Sequence, residues 1–250
     1  MNIDLNCDMG ESFGRYSLGD DEALMPLITS TNIACGLHAG DPLVMAATIR
    51  LAKRHGAAVG AHPGHPDLQG FGRRPLDLSP DEAEAFVLYQ ISALAGFARA
   101  AGLELAHVKP HGALYNQAAK DRALATAIAQ SVARFSKSLI LMGLAGSVLV
   151  EAGVEAGLKV ANEGFPERGY NDDGTLRPRR LPGAVIESPA AAAAQAVKMV
   201  REGIRFGGRQ VQVETLCIHG DNPSAPAIAK AIREALAANE IDVLPMGKFL

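Results

Sequence analysis

The stretch Asp4-Leu5-Asn6-Cys7-Asp8-Met9-Gly10-Glu11 decides the fold class of this chain. Side chains alternate sides along a strand, so Ile3, Leu5 and Cys7 share one face and Asp4, Asn6 and Asp8 share the other. The strand runs into Asp-Met-Gly-Glu, and no Gly-x-Gly-x-x-Gly turn follows it. An open, doubly wound dinucleotide-binding sheet would carry that turn here. Outward from this first strand, short β-type runs recur at residues 32–36, 58–62, 106–109, 139–143, 158–161 and 214–219, with longer helical stretches between them. Regular βα alternation means a parallel sheet, either open or closed into a barrel. With the dinucleotide turn missing, we expect one α/β domain over residues 1–250. Its architecture is expected to be an irregular or incomplete (β/α) barrel of about seven parallel strands.

The helices announce their ends. Asp41-Pro42, Ser188-Pro189 and Asn222-Pro223 each place a capping residue before a proline. Ser79 and Glu82 form a capping box at the start of a long helix. Gly56, Gly102 and Gly157 stand where helices stop. Residues 166–182 form one long loop rich in Gly, Pro, Arg and Asp, and such a loop in a folded domain is usually functional.

Composition excludes several classes of function. The chain has 250 residues, 48% of them hydrophobic, with a net charge of −3 and no Lys/Arg block. An electrostatic grip on nucleic acid is therefore not expected. No apolar run reaches the roughly 20 residues that a membrane helix needs. The N-terminal stretch carries acids where a secretory signal carries bases, so a cytoplasmic protein is expected. Cys7, Cys35 and Cys217 are odd in number and lack metal or redox spacing, which fits reduced, buried thiols.

Polar residues fall on one side of strand after strand. Asn32 and His38, Gly60 and His62, then His107, Lys109 and His111, and finally Thr215, Cys217, His219 and Asp221 all oppose apolar neighbours. Barrel interiors are normally filled by branched aliphatic side chains, and enzymes of this architecture keep their sites at the C-terminal strand ends. Polar rows there must meet water, a ligand or each other.

Each cluster has a chemical and a plainer reading. Asp8, with Asp4 and Asn6, could hold a metal or act as a base, or could close the barrel as a buried network. His38 sits in a small-residue turn, and the adjacent helix start could bind an anion, although Asp41 also fits simple capping. In Gly60–Arg74, His62, Arg73 and Arg74 suit a site for a carboxylate or phosphate. One of the two arginines could instead pair with Asp67. Lys109 can neutralise a developing oxyanion, and His111 can move a proton. His107 lies deeper and reads as a core histidine, Cys217 as a core filler and His55 as a solvated helix end. Glu163 could be a general base, a ligand for an ammonium or magnesium ion, or the partner of Arg168. Asp8, His38, His62, His111 and His219 are candidate metal ligands, but their spacing is too long to show coordination.

The segments "DLNCDMGESFG", "NIACGLHAGDP", "GAHPGHPDLQGFGRR", "HVKPHGALYN" and "TLCIHGD" together resemble the LamB/YcsF family over essentially the whole chain. One departure is Glu167, preceded by Pro166, where the family carries Asp preceded by Ala. The resemblance implies a barrel similar to the glycoside hydrolase/deacetylase superfamily. It also implies the A component of an ATP-dependent 5-oxoprolinase, which opens 5-oxo-L-proline to L-glutamate together with 5-oxoprolinase subunits B and C (PxpB and PxpC). ATP would be a co-substrate, magnesium a candidate ion, and no organic cofactor is expected. On this reading Asp8, His62, Lys109, His111 and Glu163 carry the chemistry. Asn6, His38, Arg73, Arg74, Arg168, His219 and Asp221 bind substrate. The alternatives are a stand-alone metal-dependent deacetylase or amidase and a non-catalytic scaffold for the other two components.

Overall fold

The computed structural model describes residues 1–178, 180–220 and 222–250. Asp221, one of the expected substrate-binding residues, lies outside the described residues. Strands β1 (Asn2–Met9), β2 (Ser30–Ala34), β3 (Ala58–His62), β4 (Leu105–Val108), β5 (Ile140–Leu144) and β6 (Lys159–Gly164) stand side by side in chain order. A short antiparallel hairpin, β7 (Ile204–Phe206) and β8 (Arg209–Val211), stands apart from them. Then β9 (Thr215–Ile218) pairs with β6 on one edge and β1 on the other, which closes the barrel. Among the described residues the barrel thus has seven strands, every pairing parallel. The (β/α) barrel is closed rather than incomplete.

Helices α1 (Asp21–Leu24), α2 (Pro42–His55), α3 (Pro80–Ala100), α4 (Gly112–Ala118), α5 (Arg122–Phe135), α6 (Val148–Glu155), α7 (Pro189–Glu202) and α8 (Ala225–Ala238) flank the barrel. Their ends obey the local chemistry. Asp41 accepts from the N–H groups of Leu43 and Val44, and Ser79 and Glu82 cap α3 reciprocally. Asn222-Pro223 is a correction: α8 starts at Ala225 after Ser224, and the Asn222 side chain accepts from Ser224 N instead. Gln90, midway along α3, is buried and holds Gly64 by its N–H and its C=O, both at 2.9 Å, so the helix fixes the loop that follows β3.

The apolar faces point outward. Ile3, Leu5, Ile33, Val59, Val108 and Leu216 are buried against Val87, Ile91, Ile128, Ile228 and Ile232 of the helices. Each such side chain contributes about 1.5–3 kcal/mol on burial, so the shell between strands and helices carries the stability. The interior differs on its two sides. On the β5–β6 side, Ile140, Met142 and Ala161 pack on Met246 of the C-terminal segment. That segment is led there by β10 (Asp242–Val243), which pairs with Asn2 and Ile3 at the start of β1. The other side is polar from floor to mouth. Asp4 accepts from Thr29, Ser30 and Thr215, all at 2.6–2.8 Å. Above it, Asn6 donates to Glu163 and Thr215 and accepts from Asn32. Nearly every polar group is answered by another, which is how polar rows survive inside a closed sheet.

Candidate functional site

The network ends upward on Lys109. Its Nζ lies 2.9 Å from Asp8 Oδ1, 2.8 Å from Glu163 Oε1, 3.3 Å from Asn6 Oδ1 and 3.0 Å from Cys217 Sγ. Burial alone would push the ammonium down. The facing negative groups, Asp8 foremost, outweigh burial and hold it well above its ordinary value. Burial would likewise raise the Asp8 carboxyl, but the facing His62 ring and Lys109 ammonium hold it well below the carboxylate range. Glu163 also accepts from the Tyr115 hydroxyl at 2.7 Å. Glu163 therefore meets Lys109, Asn6 and Tyr115, whereas Arg168 is bonded to the carbonyls of Ala184 and Arg177.

Three imidazoles gather beside Asp8. His62 Nδ1–H donates to the carbonyl of Lys109 at 2.7 Å, and His111 Nε2–H donates to the carbonyl of Phe71 at 2.8 Å. His62 Nε2 and His111 Nδ1 are 3.0 Å apart. His62 Nε2 lies 3.4 Å from Asp8 Oδ2, and His111 Nδ1 lies 3.7 Å from Glu11 Oε1. His38 stacks on His111 with ring centroids 3.8 Å apart and planes within 3°. Burial, and then the neighbouring His62, pushes His111 down to about 3; burial with His111 and His62 drives His38 well below its usual value. Gly72 makes this packing feasible, since its φ is +61° and a Cβ there would meet His38 and His111 within 3 Å.

Asp8, His62, Lys109 and His111 open onto a cavity of about 670 Å³ at the C-terminal mouth of the barrel. Arg73, Lys120, Arg168 and Arg177 also line it, so the approach is cationic. Within the loop predicted at residues 166–182, Arg168, Asn171, Thr175 and Leu176 face the cavity and form one wall of it. Phe165 and Tyr115 supply apolar surface, and His219 stacks on Phe165 at 5.5 Å between centroids.

The expected site residues divide into groups. Asp8, His62, Lys109, His111, Arg73, Arg168 and His219 share the cavity wall. Asn6, Glu163 and His38 are buried just behind it. Arg74 does not join them: it is largely exposed and its guanidinium is taken by the Asp67 carboxylate, the plainer reading of that pair. The start of α2 is no anion site, because Asp41 already accepts from Leu43 N, Val44 N and Gly14 N. Four residues escaped the sequence reading as site residues. Glu11 follows the turn at Gly10, where strand parity no longer applies. Tyr115 lies one helical turn after His111, a spacing that could have placed it on the same face. Phe165 follows β6 directly. Glu167 accepts from His219 N and Asn222 Nδ2, so it holds the loop after β9.

With this geometry in place, likeness to known proteins becomes informative. The LamB/YcsF family profile matches residues 3–250. The chain belongs to the LamB/YcsF family. Among members of this family, a Methylococcus capsulatus protein named as the A subunit of 5-oxoprolinase is 59% identical over 99% of this chain and 97% of its own length. A Pyrococcus furiosus protein of the same name is 54% identical over the full length of both chains. The crystal structure of a lactam utilization protein from Thermus thermophilus shares 50% identity and a TM-score of 0.91, over 98% of this chain and 99% of that one. The fold is thus shared with that lactam utilization protein along essentially the whole of both chains.

Proposed function

We propose that this chain is the A component of an ATP-dependent 5-oxoprolinase, opening the lactam of 5-oxo-L-proline to L-glutamate. Three relatives support the reading: two named as the A subunit of 5-oxoprolinase and one named a lactam utilization protein. The observation that carries it is the Lys109 ammonium, fixed between Asp8 and Glu163 at the wall of a cation-lined cavity.

A lactam carbonyl is a poor electrophile because its nitrogen lone pair is delocalised. Transfer of the ATP γ-phosphoryl group to the carbonyl oxygen leaves ADP and an activated, imidate-like ring. Water then adds to that carbon, the ring C–N bond breaks as its nitrogen takes a proton, and the resulting γ-glutamyl phosphate is hydrolysed by a second water to glutamate and phosphate. The charge that gathers on oxygen during these steps meets Lys109 Nζ, which is already in place and needs no reorganisation. Asp8, ionised by its neighbours, takes the proton of the attacking water, with His62 beside it at 3.4 Å. Arg73 and Arg168 suit the substrate carboxylate and the phosphoryl oxygens. Glu163 and Asn6 act through Lys109 and are positioning residues. Subunits B and C complete the enzyme in the cytoplasm, where free, buried Cys7, Cys35 and Cys217 stay reduced. Among the described residues, no helix is long and apolar enough to cross a membrane.

The test supplies 5-oxoproline and ATP to the chain alone and to the complex with subunits B and C, measuring glutamate and ADP together. Coupled release by the complex, lost in Asp8→Asn and Lys109→Met, is expected. Glutamate release without ATP, or wild-type rates in both variants, overturns the reading; the former would return the stand-alone amidase.

A further inference from the structure

The hydrogen bonds of His62 and His111 leave a gap in the accounting. A carbonyl oxygen only accepts, so Lys109 O fixes the proton of His62 on Nδ1 and Phe71 O fixes that of His111 on Nε2. The remaining nitrogens, His62 Nε2 and His111 Nδ1, are then both lone-pair atoms, yet they face each other at 3.0 Å. Two lone pairs do not hold that distance unless a positive charge lies between or beside them. Two carboxylates flank the pair, Asp8 at 3.4 Å and Glu11 at 3.7 Å.

His38 is a second, separate observation. It is fully buried, and neither of its ring nitrogens has a hydrogen-bond partner among the described residues. One ligand atom from each of Glu11, His38, His62 and His111 lies within 4.8 Å of every other. Cis ligands about 2.1 Å from an octahedral ion are themselves about 3.0 Å apart, which matches the spacing of the two facing nitrogens. Metal-bound imidazoles also characteristically donate their other N–H to a backbone carbonyl, as His62 and His111 do here.

We propose that Glu11, His38, His62 and His111 bind one divalent first-row transition-metal ion, with Asp8 as a flanking carboxylate. Imidazole and carboxylate donors together select such ions over alkali or alkaline-earth cations. His62 and His111 line the cavity while Glu11 and His38 do not, so the ion has one side toward the cavity and the other toward the barrel wall. The inference stands on this geometry and does not depend on the lactam reading.

The test strips the purified full-length chain with a chelator, removes the chelator, and titrates in zinc chloride or cobalt chloride by calorimetry. The visible spectrum of bound cobalt is recorded alongside. One ion per chain with micromolar or tighter affinity is expected, with a cobalt spectrum of nitrogen and oxygen donors. His62→Gln and His111→Gln should each weaken binding at least tenfold, and Arg74→Gln should leave it unchanged. A second measurement needs no variant: ¹⁵N spectra of the histidine rings in the wild-type chain, before and after zinc. Zinc should shift His62 Nε2 and His111 Nδ1. Absence of stoichiometric binding, equal binding by both histidine variants, or a His62–His111 pair that carries an extra proton and ignores zinc would each overturn the proposal.

Discussion

Gly60 on β3 stands opposite His107 on β4 so closely that a Cβ on Gly60 would lie 2.1 Å from His107 Nε2. That nitrogen donates to Asn32 Oδ1 at 2.7 Å, and Asn32 in turn donates to both Asn6 and Asp8. The missing side chain of one strand is therefore the space that lets an imidazole from the next strand reach across the barrel. Gly60→Ala should force the ring out of this position, costing about 1–3 kcal/mol as other overpacked cores do. Chemical denaturation measures that cost. The combined Gly60→Ala, His107→Ala variant should recover part of it, because the clash is then gone; a loss that simply adds would reject the account.

His107 also sets a pH response. Burial, and then the charge of Lys109, lowers it from 6.5 to about 3, so the folded chain keeps it neutral. The unfolded chain takes up a proton below about 6.5. Stability from this group is thus full above that pH and declines as pH falls toward 3, by about 1.4 kcal/mol per pH unit. Asp4 works in the opposite direction, since burial raises its carboxyl from 3.8 to about 6. Its contribution is full below the unfolded value and is lost as pH rises through about 6. His107→Gln should flatten the acid limb of a stability–pH curve between pH 6 and 4, and Asp4→Asn should steepen it. Urea midpoints at half-unit pH steps would show both, and a common slope for all three proteins would refute the assignment.

These two residues also show how far a bare sequence can be read. The alternation Ala-Val-Gly-Ala-His places Gly60 and His62 on the inner face, and the β3 bounds coincide with the reading. The same parity brings Asp8, His62, Lys109 and His219 to one mouth. It cannot show that Gly60 is small because His107 needs its volume, since that contact joins strands 47 residues apart. It also fails where the chain leaves the strand. Glu11 comes after the left-handed turn at Gly10, and Arg74 turns aside to Asp67 because seven residues of loop let it. The β7–β8 hairpin did carry a local signal, the Gly207-Gly208 pair between two β-type runs, which the βα rhythm overshadowed.

Arg168 ties the long loop to itself. Its Nε donates to Ala184 O at 3.1 Å and its terminal nitrogen to Arg177 O at 2.7 Å, bridging two limbs of the cavity wall. Arg168→Met keeps the length and removes the fork of donors. Cleavage between residues 168 and 184 by a protease in limiting amount should become at least several-fold faster, while thermal unfolding of the barrel changes little. The Michaelis constant for 5-oxoproline in the assembled enzyme should rise more than kcat falls. An unchanged cleavage rate would show that the loop is held by its other contacts.

Lys109 offers the sharpest separation of folding from chemistry. Removing its ammonium leaves Asp8 and Glu163 facing each other without a cation, and breaking a buried pair in this way typically costs about 3–5 kcal/mol. Lys109→Met should therefore unfold at a markedly lower temperature than the parent chain. Adding Glu163→Gln removes one of the stranded charges, so the double variant should regain a large part of the stability. Activity should not return with it. Glu163 does not line the cavity, whereas Lys109 does, so the rate lost with the ammonium depends on what that group offers to the reacting oxygen. A preorganised donor of this kind is worth about 10²–10³ in rate. Melting curves and coupled glutamate release, measured on the same three proteins, decide the matter: stability that recovers while the rate does not places Lys109 at the chemistry, and joint recovery would reduce it to a structural ion pair.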